Sequence, residues 1–351
     1  MKAIAEVLVG AQAYAAQELT LLGCTVTGQQ DGLVFFDADD ATTYRACYRS
    51  QSSERICKAL DLQDLEGSFC VRARVLSDDV ATPAAEATIG ARLLEECRSA
   101  GVETKVDLSS PKAMVRATIV PQGDDTSGEV LGIDLSGDIG KRDYKVFASR
   151  SSLRATLGFC AVLASGFTGK QNLLDPMCGD GVIPIEAAMF AACLSHNRFR
   201  KKDLPSWPID LDAIDRKGKE KIKGIINALD GVMPNVVAAG KNAKLAGVER
   251  ILNFSRISPD WLDTKFTEHE VDCIATWMPN ERDKDALAKR QQELLYQADY
   301  ILAKTGTLAL LHESPIPPAL LGQYHFSVQR ATHIQQGGRP IMLSVLKKIS
   351  K

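Results

Sequence analysis

The sequence has no Cys-x-x-Cys pair, no long apolar run and almost no net charge, and each absence removes a class of function. Nine scattered cysteines, an odd number, fit neither a zinc site nor a disulfide framework, and point to a reducing compartment with no bound metal. No stretch reaches the ~18 uninterrupted apolar residues of a membrane span. The start Met1-Lys2-Ala3-Ile4-Ala5-Glu6 puts an acid where a secretory signal would be apolar, so the expected location is the cytoplasm, away from membranes. A formal charge of −2 over 351 residues gives no global attraction for nucleic acid, so any such contact must come from local basic clusters. No internal repeat or low-complexity tract appears, and the length allows two or three domains.

What is present is concentrated in Leu174-Asp175-Pro176-Met177-Cys178-Gly179-Asp180-Gly181, followed by Val182-Ile183-Pro184-Ile185-Glu186-Ala187-Ala188. It reads as a buried strand breaking into a glycine turn that opens a helix, the pattern of a nucleotide-cofactor pocket. The turn lacks both the Gly-Lys-Ser/Thr ending of a phosphate loop and the third glycine of a dinucleotide fingerprint. Its acids would repel a pyrophosphate, so a cationic cofactor fits better.

These words resemble motif I of the Rossmann-like S-adenosylmethionine-dependent methyltransferases that modify exocyclic amines of nucleic-acid bases. Strand and helix alternate from Asn172 onward, and Phe326 to Ile334 with Arg339 to Lys347 reads as a closing hairpin turned at Gln336-Gly337-Gly338. Between motif I and the next strand a long helical insertion is expected. The N-terminal half reads as two α+β units. In the first, a strand over 3–9, a helix from Ala11 to Leu22, a strand over 32–37 and a helix from Asp39 to about Tyr48 alternate. In the second, a strand at Phe69 to Leu76, a helix from Thr82 to Ser99 and strands at Ala113 to Val120 and Glu129 to Asp134 follow. The words Phe69-x-Val71-Arg72-Ala73, Lys105-Val106-Asp107-Leu108, Gly132-Ile133-Asp134-Leu135-Ser136-Gly137 and Lys141-Arg142-Asp143-Tyr144 resemble the RNA-binding THUMP domain. The unit before it resembles the ferredoxin-like domain that accompanies THUMP.

The resemblance implies an α/β chain in four parts. A ferredoxin-like domain spans 1–65, THUMP 66–147, a linker helix 148–170, and a class I methyltransferase domain with a parallel sheet and antiparallel C-terminal hairpin 171–351. It implies S-adenosylmethionine as cofactor and RNA as partner, with the single-chain enzymes that methylate guanine N2 in tRNA as nearest relatives by domain order. Asp175, Met177, Cys178, Gly179 and Gly181 would line the cofactor. Glu186, in the first turns of its helix, would either favour the helix macrodipole or approach the ammonium, Asp230 would accept its ribose hydroxyls with Gly231 beside adenine, and Thr156 would lie against it from the Leu153-Arg154-Ala155-Thr156-Leu157 segment. The acid expected after the next strand is missing from Asn253-Phe254-Ser255-Arg256, leaving Asp260 or Ser258 as its substitute.

Relatives place Asn or Asp, Pro-Pro and an aromatic after the fourth strand, because a delocalised base amine needs acceptors for its N–H bonds and a ring to stack on. Here the corresponding residues are Trp277-Met278-Pro279-Asn280. Trp277 takes the acceptor's place although an indole only donates, and Asn280 replaces the aromatic. Trp277, Pro279 and Asn280 are the catalytic positions of this altered motif. Its alteration leaves a second reading, an RNA-binding pseudo-methyltransferase acting as a binding module or with a protein partner. For RNA contact the basic words nominate Lys141, Arg142, Tyr144, Lys145 and Arg150 in the N-terminal half. In the insertion they nominate Arg198, Arg200 and Lys201 with Phe199 and Trp207 interleaved; Arg216 to Lys223 reads as a solvated face.

Overall fold

The computed structural model describes residues 1–76, 81–122, 126–149, 152–218 and 222–349. Arg150, and the middle of the Arg216 to Lys223 run, fall outside the described residues. Two seven-stranded sheets organise the chain. The first is built from β1 (Lys2–Val7), β2 (Thr25–Gln30), β3 (Leu33–Asp37), β4 (Ser53–Ala59), β5 (Phe69–Val75), β6 (Ala113–Gln122) and β7 (Thr126–Asp134). Its order is β2-β3-β1-β4-β7-β6-β5, so the two N-terminal units share one continuous sheet through the β4–β7 pairing. Helices α1 (Gln12–Leu21), α2 (Asp40–Arg49) and α3 (Thr82–Ser99) connect its strands. Helix α2 starts where Asp39 caps the Thr42 N–H, and α3, with Pro83 in its first turn, bridges the parallel pair β5 and β6.

After α4 (Ala155–Ala164), the second sheet comprises β8 (Leu173–Asp175), β9 (Ile226–Asp230), β10 (Leu252–Arg256), β11 (Val271–Met278), β12 (Leu302–His312), β13 (Phe326–Gln336) and β14 (Arg339–Lys348). The order β10-β9-β8-β11-β12-β14-β13 is parallel as far as β12 and antiparallel beyond it, the Rossmann-like arrangement with an edge hairpin. Strands 8 to 10 step outward one way and β11 and β12 the other, so the topological switch falls between β8 and β11. Helices α5 (Val182–Ala191), α7 (Met233–Ala246) and α8 (Lys284–Ile301) carry the crossovers; α6 (Leu211–Asp215) and α9 (Pro318–Gln323) are short. Helices α4 and α5 are buried almost all round, in the largest apolar cluster.

Two expectations change. Strands β2 and β4 lack a clear apolar alternation and are supplied by pairing with β3 and β1. Among its described residues the insertion after α5 is largely irregular, holding one five-residue helix and a three-residue helical turn, because its polar side chains bond to the N-terminal half. Among the described residues no helix is long and apolar enough to cross a membrane.

Candidate functional site

At the switch point a cleft of about 280 Å³ opens beyond the carboxyl ends of four parallel strands. Asp175 ends β8, Asp230 ends β9, Trp277 sits near the end of β11, and Ser258 follows β10; all four line it. Between β8 and α5 the chain turns through Gly179 (φ +54°) and Gly181 (φ +85°). A Cβ on Gly181 would stand 2.9 Å from that of Ala239 on α7, so glycine is required both for the left-handed backbone and for the helix contact.

The turn is clamped from three directions. Asp230 accepts the Gly179 N–H at 3.0 Å through Oδ2, while its Oδ1 accepts the Val232 N–H at 2.8 Å and the Asn235 amide at 3.1 Å. Asp180 accepts the Ser152 hydroxyl at 2.5 Å and the Ser149 N–H at 3.4 Å, which ties the linker to the turn. Asn242, fully buried on α7, donates to the carbonyls of Asp180 and Phe147, both at 2.9 Å.

Four carboxylates (Asp175, Asp180, Asp230 and Glu293) face this cleft against one guanidinium, that of Arg290. Burial, reinforced by three of these carboxylates, pushes the Cys178 thiol well above its usual range. Burial also pushes Asp175 up to about 7, against the hydrogen bonds it accepts from the Thr276 hydroxyl (2.7 Å) and the Met177 N–H (3.2 Å). A surface of this sign repels polyphosphate and suits a cation with hydroxyls.

The comparisons bear on this geometry. A model of the RMKL-like methyltransferase domain matches residues 142–334, more than half of the chain. The chain belongs to the RMKL-like methyltransferase-domain family. The ferredoxin-like domain of RlmL matches residues 2–57. The tRNA (guanine(6)-N2)-methyltransferase of Methanocaldococcus jannaschii is 30% identical over 253 residues, 69% of this chain and 65% of that protein. The ribosomal RNA large subunit methyltransferase K/L of Photobacterium profundum is 28% identical over 278 residues, 70% of this chain and 39% of the relative. The matches thus span less than two thirds of each relative's length. TrmN from Thermus thermophilus shares the fold, with a TM-score of 0.67, 22% identity and 99% of both chains covered.

S-adenosylmethionine is the cofactor of such a methyltransferase domain, and the acid-lined cleft fits its positive sulfonium and ammonium. Asp175, Met177, Cys178, Gly179, Asp230 and Gly231 line the cleft with Trp277 and Pro279, and Gly181 shapes the turn. Of the two substitutes for the missing acid, Ser258 lines the cleft and Asp260 is exposed outside it. Asp180, Asn235, Arg290 and Glu293 were not singled out from sequence. Only Asp180, between the two glycines, carried a local signal.

Several expectations are corrected. Glu186 lies one turn along α5 from the cleft-lining Val182 and Ile183, fully buried. Its carboxylate accepts from Arg142 Nε (2.9 Å), the Tyr144 hydroxyl (2.7 Å) and the Gln51 amide (2.7 Å), so it is an interdomain anchor and not a cofactor ligand. Arg142 and Tyr144 are buried with it and cannot meet RNA. Thr156 is buried and does not line the cleft, whereas Leu153 does, because the helix turns Thr156 into the core. Asn280 is held outside the cleft, its Oδ1 accepting the Ser314 hydroxyl at 2.9 Å.

The basic words of the insertion are also spent internally. Arg198 donates to the carbonyls of Ala246 and Gly247 at the end of α7 (3.0 and 2.7 Å). Arg200 donates to Asn197 and to the Asp138 carbonyl (2.7 and 2.9 Å), and Lys201 pairs with Asp212 and Asp215 (2.5 and 2.6 Å). Trp207 donates to the Leu135 carbonyl at 2.9 Å. Arg200 and Trp207 thus brace the two halves, Arg198 and Lys201 are engaged within the C-terminal half, and together they do not form an open RNA patch. Lys141 and Lys145 instead line a separate basic cavity.

Asp175 gives the cleft a pH dependence. Its carboxyl is neutral below about 7 and ionised above, and only the ionised form attracts a cationic ligand. Affinity for S-adenosylhomocysteine, which carries an ammonium, is expected to rise between about pH 6 and about pH 8, and Asp175→Asn to flatten that rise. Calorimetric titration at several pH values measures it. A pH-independent affinity in the unsubstituted protein would remove this role for Asp175.

Proposed function

We propose that this chain is an S-adenosylmethionine-dependent RNA methyltransferase that modifies the N2 amine of guanine in tRNA, in the cytoplasm. The observation that carries the reading is the acid-lined cleft at the switch point with Trp277 and Pro279 at its edge. The names of the relatives, a tRNA guanine-N2 enzyme and a ribosomal RNA enzyme, support it. On this reading residues 1–65 form the ferredoxin-like domain, 66–147 the THUMP unit that grips RNA, 148–170 the linker and 171–351 the catalytic domain.

Bound S-adenosylmethionine supplies an electrophilic methyl group on its sulfonium. Asp175, Asp180 and Asp230 hold the positive and hydroxyl-bearing parts of that ligand, while the backbone from Met177 to Gly181, with Gly231, gives it close approach. Trp277 and Pro279 offer a flat apolar wall on which a flipped base stacks. Neither side chain accepts a hydrogen bond, so the amine's N–H groups fall to main-chain carbonyls of the 277–280 loop. With the ligand bound, these groups would orient the amine toward the methyl group it supplies, and the proton that the methylated amine sheds would pass to water.

Incubation with methyl-labelled cofactor and unmodified tRNA, followed by nucleoside analysis, tests this. Label in N2-methylguanosine is expected. Label in ribosomal RNA alone would overturn the tRNA assignment. Absence of label, with RNA and S-adenosylhomocysteine both bound, would overturn the enzyme reading in favour of a binding module.

A further inference from the structure

A second cavity, of about 570 Å³, is lined by residues of the N-terminal half together with Lys145, Arg154 and Ala155. Ser149 and Leu153, from the same stretch of chain, line the cofactor cleft. Its walls carry seven cations against three carboxylates. Four of the cations already have acidic partners. Arg116 is paired with Glu6, Arg55 with Asp134, Arg142 with Glu186 and Arg154 with Glu54.

The other three pair with no carboxylate among the described residues. Among the described residues Arg74 donates to the carbonyls of Val7 and Gly32 (2.8 and 3.3 Å) and pairs with no carboxylate. Among the described residues Lys145 donates to the Leu153 carbonyl, and no carboxylate pairs with Lys141 or Lys145. The first turn of α4 also reaches the cavity at Ala155; its N-cap residue, Arg154, makes no side-chain cap, and Gln336 accepts the Arg154 N–H at 2.7 Å. The following first-turn N–H groups and the positive dipole end of a helix favour an anion.

From these features we infer that the cavity is a phosphate site, in which Arg74, Lys141, Lys145 and the start of α4 hold one backbone phosphate of the RNA strand whose base enters the cleft. The inference rests on the RNA reading above and adds where the strand is gripped. A phosphate group fits because the donors converge from three chain segments into a concavity that a folded acidic protein cannot enter. The lowered proton affinity of Lys145, caused by burial, is offset once an anion sits beside it.

Binding of a labelled single-stranded RNA of about twelve nucleotides, followed by anisotropy across a salt series without S-adenosylmethionine, tests the site. Lys141 is exposed and Lys145 is partly buried, so Lys141→Ala tests the charge with the fold undisturbed. The slope of log affinity against log salt should fall by about 0.7–0.9 in Lys141→Ala and in Lys145→Gln, and stay unchanged in Lys304→Ala, which lies at another cavity. Inorganic phosphate at constant ionic strength should displace RNA from the unsubstituted protein more readily than from Lys141→Ala. A slope in Lys141→Ala equal to that of the unsubstituted protein overturns the inference. So does a protein that binds phosphate but no RNA, which would assign the cavity to a free phosphate compound. Because this readout needs no transfer, failure of the methyl-labelling experiment with these slope changes intact would refute the enzyme reading alone.

Discussion

Replacing Arg142 by alanine is expected to destabilise the protein by about 3–5 kcal/mol, the cost of leaving one member of a buried ion pair without its partner. Arg142 and Glu186 have side chains 1% and 0% exposed, and every direction around the Glu186 carboxylate is filled by Gln51, Arg142 or Tyr144. Burial, then the Glu186 charge, pushes the Tyr144 hydroxyl well above its usual range, so it stays protonated as a donor. The guanidinium also donates to the carbonyls of Gln51 and Ile139, both in the N-terminal half (2.7 and 2.6 Å). Its loss therefore loosens the seam between the two sheets as well as the pair itself. Urea unfolding should show a lower midpoint, and the double variant Arg142→Met with Glu186→Leu should recover much of it. A change within about 0.5 kcal/mol, accompanied by weaker RNA binding, would return Arg142 to the surface role read from sequence.

The second large effect is on the cofactor. Asp230→Ala is expected to weaken S-adenosylhomocysteine binding by about 10- to 150-fold, or about 1.5–3 kcal/mol, the range of one hydrogen bond to a charged group. The limit follows from a count. A carboxylate has about four acceptor sites, and Gly179, Val232 and Asn235 occupy three on Asp230. One remains for a ribose hydroxyl, so the two-hydroxyl grip expected from sequence requires the Asn235 amide to move aside. Calorimetry on Asp230→Ala measures the loss, and an unchanged affinity would exclude Asp230 from the ligand set. With Asn235→Ala, an affinity that holds or rises is expected, since that substitution frees the second acceptor site.

The sequence by itself determined the parts whose physics is local. The glycine turn at 179–181 is legible because only glycine tolerates its backbone and its contact with Ala239, and a strand–turn–helix word marks it. The parallel sheet with its edge hairpin is legible from the alternation of elements, and Asp230 from its place at a strand end. Tertiary structure alone decided which charges are free. Arg142, Arg198, Arg200 and Lys201 look like an RNA surface in a linear reading, yet Arg142, Arg200 and Lys201 are engaged by partners as much as 91 residues away and Arg198 is tied to two carbonyls at the end of α7. Conversely Arg74, 67 residues from one partner, meets no carboxylate among the described residues and faces a cavity that no stretch of sequence spells. Glycine strain and strand ends are set by neighbours along the chain, whereas the availability of a charge depends on what the fold brings against it.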